Sequence, residues 1–211
     1  KWVNASGDRM IKINGPLQGW GVQNITLDVN SQATDGLYQF SAQNGDCENL
    51  LIENCRTTAI ISTTWVTSNY TGVGVSVNSG NNHFKNTWIT IPDVLNSVGI
   101  NQGNGGGTAE NTCYNVFDHT MIAGPNTSTN VFFIYINASD NITFRDTHLI
   151  YTTANNVAIA FDYSVNPDWP ADTRFDGIDF GSSTARVTNS GSPSGSIKNR
   201  IVSISNTNGI P

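Results

Sequence analysis

A large apolar residue followed by a charged one recurs six times along this chain, at a spacing near thirty residues. The instances are Leu27-Asp28, Ile52-Glu53, Phe84-Lys85, Phe117-Asp118, Phe144-Arg145 and Phe175-Asp176, with successive anchors 25, 32, 33, 27 and 31 residues apart. A repeat of this length marks a stacked architecture, because one unit cannot bury its apolar side alone. No helical periodicity fills the gaps. They hold short β-type runs instead, at Leu37–Phe40, Val73–Val77, Val98–Ile100, Val131–Ile136 and Val157–Phe161, separated by turns rich in Gly, Asn and Ser.

Composition agrees with a strand-and-turn chain. The sequence holds 28 Asn, 23 Thr, 19 Ser and 20 Gly, together 90 of 211 residues, and all four are poor in helix interiors. At 37% hydrophobic it still has enough apolar mass for a core. With 10 Lys and Arg against 16 Asp and Glu, the net charge of −6 argues against nucleic acid and anionic lipid as partners. No apolar run approaches the roughly eighteen residues of a membrane span. Cys47, Cys55 and Cys113 are too few and too scattered for a disulfide framework or a zinc site, so buried thiols are expected, with a Cys47–Cys55 bridge left open. The chain starts at Lys1 and reads as a single domain over 1–211, a fragment or processed part of something longer.

Stacked parallel strands place equivalent residues about 4.8 Å apart, so the repeat can be tested on chemistry. One place after the anchors stand Asp28, Glu53, Lys85, Asp118, Arg145 and Asp176, alternating in sign from Glu53 onward. Two places after come Asn54, Asn86, His119 and Asp146, a polar turn column. Three places after come Cys55, Thr87, Thr120 and Thr147, and five places after come Ile89, Ile122, Leu149 and Phe180. Residue type is kept column by column. The expected fold is all-β, a right-handed single-stranded parallel β-helix, or solenoid, of about six to seven coils.

The runs Asn24-Ile25-Thr26-Leu27, Glu48-Asn49-Leu50-Leu51-Ile52-Glu53-Asn54-Cys55 and Asn141-Ile142-Thr143-Phe144, with the strand opener Asp35-Gly36-Leu37-Tyr38, resemble coil signatures of the pectate-lyase-like superfamily. That superfamily includes pectate lyases, polygalacturonases, alginate epimerases and bacteriophage tailspikes. The resemblance runs from about Val22 to about Phe180 and is nearest to tailspikes. It implies an extracellular or virion-associated protein that binds, and in some members cleaves, bacterial surface polysaccharide as a homotrimer. A secreted lyase or hydrolase acting as a monomer, and a non-catalytic adhesin or virion module, are the alternatives. The motifs specify coils, not activity.

Val116-Phe117-Asp118-His119 partly resembles the Trp-Ile-Asp-His motif of pectate lyases, with Phe where that motif has Trp. Asp118 and His119 also fit the charge and turn columns, which gives them a structural reading. Asp162, Asp168, Asp172, Asp176 and Asp179 form the densest acidic stretch. Glycosidases need two carboxylates about 5 to 9.5 Å apart. Asp168 and Asp172, with Asp162, are therefore the candidate catalytic groups. Trp169, between Pro167 and Pro170, and its neighbour Tyr163 are candidate sugar contacts. Trp88 shares an outward column with Met121 and His148, a glycan platform or a surface covered by a partner. No cofactor is implied; calcium is the one cation that lyase chemistry and the acidic stretch together suggest, without an EF-hand spacing. The glycine run Gly103 to Gly107 lacks a following Lys-Ser/Thr and reads as a loop.

Overall fold

A computed structural model describes residues 11–28, 35–43, 45–53, 73–78, 81–91, 97–102, 112–125, 131–137, 139–150, 156–163, 172–181, 186–190, 200–201 and 204–205. Every regular element among them is a strand. In chain order these are β1 (Ile11–Gln18), β2 (Gly21–Asp28), β3 (Asp35–Gln43), β4 (Asp46–Glu53), β5 (Val73–Asn78), β6 (His83–Thr90), β7 (Val98–Gln102), β8 (Thr112–Cys113) and β9 (Val116–Asp118). They continue with β10 (Met121–Ala123), β11 (Phe132–Asn137), β12 (Ser139–Asp140), β13 (Thr143–Ile150), β14 (Val157–Asp162), β15 (Arg174–Asp179), β16 (Arg186–Ser190), β17 (Arg200–Ile201) and β18 (Ile204–Ser205). No helix among the described residues is long and apolar enough to cross a membrane.

All pairings are parallel. One sheet runs β1-β3-β5-β7-β11-β14-β16, and the other β2-β4-β6-β10-β13-β15-β17, with β9 beside β6 and β13 and β18 beside β15. The chain thus visits the sheets alternately, and each pass adds one strand to both. A small third sheet pairs β8 with β12. The five β-type runs expected from sequence all lie in the first sheet.

The second sheet carries the repeat. Phe84 pairs with Phe117, Phe117 with Phe144 and Phe144 with Phe175, and the rings stack at centroid distances of 4.9, 4.8 and 4.8 Å. All four are at most 1% exposed. Burying one such ring is worth about 1.5–3 kcal/mol. Ile89, Ile122 and Leu149 form the parallel inward column, and Phe161 of β14 meets Phe175 edge-on at 6.4 Å, joining the two sheets through one core. The first sheet is buried on its other side too: Val98, Tyr135, Val157 and Ala160 form a second cluster there.

The expected register holds from Phe84 onward and fails before it. Leu27 pairs with Ile52 as expected, but Ile52 pairs with Ile89, and it is Cys47 that pairs with Phe84. The first two passes are therefore displaced by five residues from the sequence alignment. The recurring unit is an inward residue, a polar residue and a corner: Val22-Gln23-Asn24, Cys47-Glu48-Asn49, Phe84-Lys85-Asn86. A search for large anchors skips Val22 and Cys47, which are small, and lands on the next inward column instead. Asn54 and Cys55, placed in the turn and Thr columns by that alignment, lie outside the described residues.

Buried amides close the turn that enters the second sheet. Asn115 Oδ1 accepts from the Asn82 backbone N–H at 2.9 Å and from its side-chain amide at 3.0 Å, while Asn82 Oδ1 accepts from the Gly45 N–H at 3.0 Å. Both asparagines are at most 2% exposed, and the arrangement satisfies backbone groups that a buried turn would otherwise orphan. Gly45 has no substitute here. A Cβ on it would lie 2.2 Å from the Trp20 indole.

Candidate functional site

Six successive passes through the second sheet each bend at one residue with a left-handed backbone, and those residues stack. They are Asn24, Asn49, Asn86, His119, Asp146 and Gly177, with φ of 54°, 55°, 47°, 51°, 45° and 76°. Asn, Asp and Gly are the residues that tolerate this conformation best, which explains the polar column. In the first three passes the column is an amide ladder. Asn49 Nδ2 donates to Asn24 Oδ1 at 2.7 Å, and Asn86 Nδ2 donates to Asn49 Oδ1 at 3.2 Å. The residue after the corner turns inward, as Thr87, Thr120 and Thr147 do; Thr87 and Thr147 donate their hydroxyls back across the corner to the Lys85 and Arg145 carbonyls.

In the fourth and fifth passes the ladder changes chemistry. His119 Nδ1 lies 2.9 Å from Asp118 Oδ1, and its Nε2 lies 3.5 Å from Asp146 Oδ2. His83, one pass earlier, directs Nε2 at Asp118 Oδ2 from 3.7 Å. Asp118 is thus flanked by two imidazoles, with Lys85 and Arg145 in register on the adjacent strands. Lys85 reaches Asp46 at 3.9 Å, and Arg174 holds Asp176 at 2.9 Å.

Beyond the corner, the next outward column reads Leu51, Trp88, Met121, His148, Asp179. Trp88 is 44% exposed although flanked by two half-buried apolar side chains. His148 Nδ1 faces Asp179 Oδ2 at 3.5 Å, and the other oxygen of this buried carboxylate accepts from the Gly181 N–H. Before the corner lies a shallow depression of about 300 Å³ lined by Tyr114, Val116, Asn141, Thr143, Asp172 and Arg174. Tyr114, Asn141 and Asp172 are themselves a second left-handed column, with φ of 59°, 53° and 47°. The depression, the acid–histidine corner and the Trp88 column follow one another along the same strands, with the left-handed bend between the depression and the Trp88 column.

Of the residues singled out from sequence, Trp88 and His148 lie in the outward column after the corner, and Asp172 lies before it. Trp88 and His148 are two rows apart with Met121 between them, and Asp172 borders the depression beside Arg174. Asp162 and Tyr163 belong to the other sheet and its margin. Asp162 is buried and accepts a hydrogen bond from the Tyr135 hydroxyl, and Tyr163 is buried against Phe161. Asp168 and Trp169 lie outside the described residues. The sequence pattern places His119 and Asp146 in a turn column and does not mark His83, which sits three places before the corner residue Asn86. The signal was present: three ionisable residues at outward positions of adjacent rows. Cys47 is a free buried thiol whose ionisation burial pushes up to about 12. No protein-family model, curated protein or solved structure matches this chain.

Proposed function

We propose that the chain is an extracellular, tailspike-like glycan-recognising module. Its two sheets are then walls of a right-handed parallel β-helix of six to seven coils, and the face around Trp88 binds bacterial surface polysaccharide. The handedness rests on the near-universal right-handed crossover between parallel strands of one sheet. The observation that carries the function is Trp88, a large flat ring left 44% exposed in a rigid row between Leu51 and Met121. An apolar ring face with polar groups one or two rows away suits a sugar, which presents an apolar ring face and a rim of hydroxyls. His148 supplies a polar group in that column, oriented by the buried Asp179, and Tyr114 with Asn141 and Arg174 supply others at the depression along the same strands. The depression's Asp172 gives a cleaving version of this reading one of its two carboxylates, with Asp168 as the sequence-based partner.

Titration against a panel of capsular and cell-wall polysaccharides tests the proposal, alongside mass by light scattering, for which a homotrimer is expected. Trp88→Ala should weaken binding about tenfold, equivalent to about 1.4 kcal/mol. A monomer that binds no glycan in the panel sinks the reading in favour of a structural module. Release of reducing ends or unsaturated products, lost in Asp172→Asn, would add catalysis to it.

A further inference from the structure

We propose that the depression before the corner is a subsite for one neutral sugar ring, stacked on Tyr114 and hydrogen-bonded by Asn141, Thr143 and Asp172. It rests on the glycan reading above and gives that reading a ligand class. The depression takes two residues from each of three successive passes. Val116, Thr143 and Arg174 are ladder neighbours in one row, and Tyr114, Asn141 and Asp172 stand two places earlier in the same passes. Its volume of about 300 Å³ lies at the small end of ligand pockets, room for a ring rather than a length of chain.

Tyr114 is out of place in its row. The same position in other described passes is filled by Gly19, Asn81, Asn141 and Asp172, residue types that tolerate a left-handed backbone. Tyr114 adopts φ 59° there, which is costly for a bulky side chain. The fold gains no contact in return. The side chain is 59% exposed and makes no hydrogen bond, ring contact or ion pair among the described residues. Strained backbone of this kind clusters at ligand sites, and a free aromatic face beside polar groups suits the apolar face of a sugar. Asn141 and Thr143 can each donate and accept, as sugar hydroxyls do. The charges select a neutral ring. Arg174 is the only cation lining the depression, and its guanidinium is held by Asp176 at 2.9 Å. Asp172 is exposed and has no ion pair among the described residues, so its carboxylate is left to accept from hydroxyls. Two carboxylates against one cation leave the site net negative, which disfavours a uronate or sulfated ring.

The test is calorimetric titration with neutral tetrasaccharides of glucose, galactose and mannose, and with the same sugars carrying one uronate. A neutral tetrasaccharide should bind, and its uronate counterpart about tenfold more weakly. Tyr114→Asn installs the residue of the neighbouring passes, so it folds. It should weaken the neutral ligand about tenfold while raising Tm by about 2–4 °C as the strain is released. Tyr114→Phe keeps the ring and should hold affinity within about threefold. Asp172→Asn should weaken the neutral ligand and narrow the gap to the uronate. Repeating the titrations in Trp88→Ala separates this subsite from the reading it rests on. Affinity lost in Trp88→Ala but unchanged in Tyr114→Asn overturns the subsite and leaves the Trp88 platform standing. Affinity lost in Tyr114→Asn but unchanged in Trp88→Ala overturns the platform and leaves the subsite standing. No binding of any neutral tetrasaccharide, tighter binding of the uronate, or a lower Tm in Tyr114→Asn overturns the proposal.

Discussion

Phe117 lies face to face on Phe144, with ring centroids 4.8 Å apart and planes 10° from parallel. That distance is the spacing of neighbouring strands, so the rings repeat at the period of the backbone itself. Each ring therefore fills the floor of one pass and the ceiling of the next. Phe117 has a ring on both sides, Phe84 below and Phe144 above. Phe117→Ala should cost about 3–5 kcal/mol, because neighbours held by the ladder cannot collapse into the void. Phe117→Leu, which keeps most of the volume, should cost markedly less. Urea unfolding midpoints measure both; a loss under 1 kcal/mol for Phe117→Ala would mean the rings do not stack.

The left-handed corner makes a second prediction, separable into backbone and side-chain parts. Asn49 has φ 55° and is bonded to Asn24 on one side and Asn86 on the other. Asn49→Gly keeps the backbone unstrained and loses both side-chain bonds, a loss of about 1 kcal/mol for exposed amides. Asn49→Ala loses the bonds and adds the cost of a Cβ in the left-handed region, about 1–2 kcal/mol more. Thermal melts should rank unaltered protein above Gly and Gly above Ala. Equal stability of the two variants would remove the conformational argument for the column.

How far the fold was legible follows from the same columns. From Phe84 onward large aromatic anchors mark each inward position, and pairing of Lys85, Asp118, Arg145 and Asp176 could be read directly. Before Phe84 the anchors are Val22 and Cys47, and Ile52-Glu53-Asn54 imitates the true unit five residues late. Size marks burial only where the interior has room for large rings. The corner, by contrast, constrains identity through φ, and Asn24 and Asn49 announced it once the backbone was known. The face around Trp88 was legible as a column because ladder register fixes which residues are neighbours. The acid–histidine contacts at the corner were not, since the turn column draws on the same residue types, and His83 meets Asp118 only because the ladder sets their strands side by side.

Asp118 occupies a row where reversing one charge has a calculable sign. Lys85 and Arg145 are its register partners, and His83 and His119 approach its two oxygens. Asp118→Lys would align three cations on adjacent strands and should destabilise by about 1 kcal/mol or more. Asp118→Asn separates loss of the carboxylate from added repulsion and should fall between the two. Adding 1 M salt should narrow the gap between the Lys and Asn variants, because repulsion between partly exposed charges is screened within about 3 Å at that strength. A Lys variant as stable as the Asn variant at low salt would mean these side chains do not share a row.

Cys47 gives the chain an alkaline limit. It is fully buried in the inward column between Val22 and Phe84, and burial, the largest cause, raises its ionisation from 9.0 to about 12. The folded state therefore holds this proton more tightly than the unfolded state does. Its contribution is intact below pH 9, where both states are protonated, and is lost as pH rises from 9 toward 12. Three pH units correspond to roughly 4 kcal/mol at most. Cys47→Val keeps a small apolar residue of the kind Val22 places in the same column and removes the titration. Unfolding free energy measured from pH 8 to pH 11 should fall more steeply for the unaltered protein than for Cys47→Val, the difference between the two isolating the thiol from other groups that titrate there. A folded protein should also leave Cys47 unreacted with a thiol-specific disulfide reagent at pH 8, releasing it only on unfolding. Parallel pH profiles for the two proteins, or prompt labelling of Cys47 in the folded state, would place this side chain outside the core.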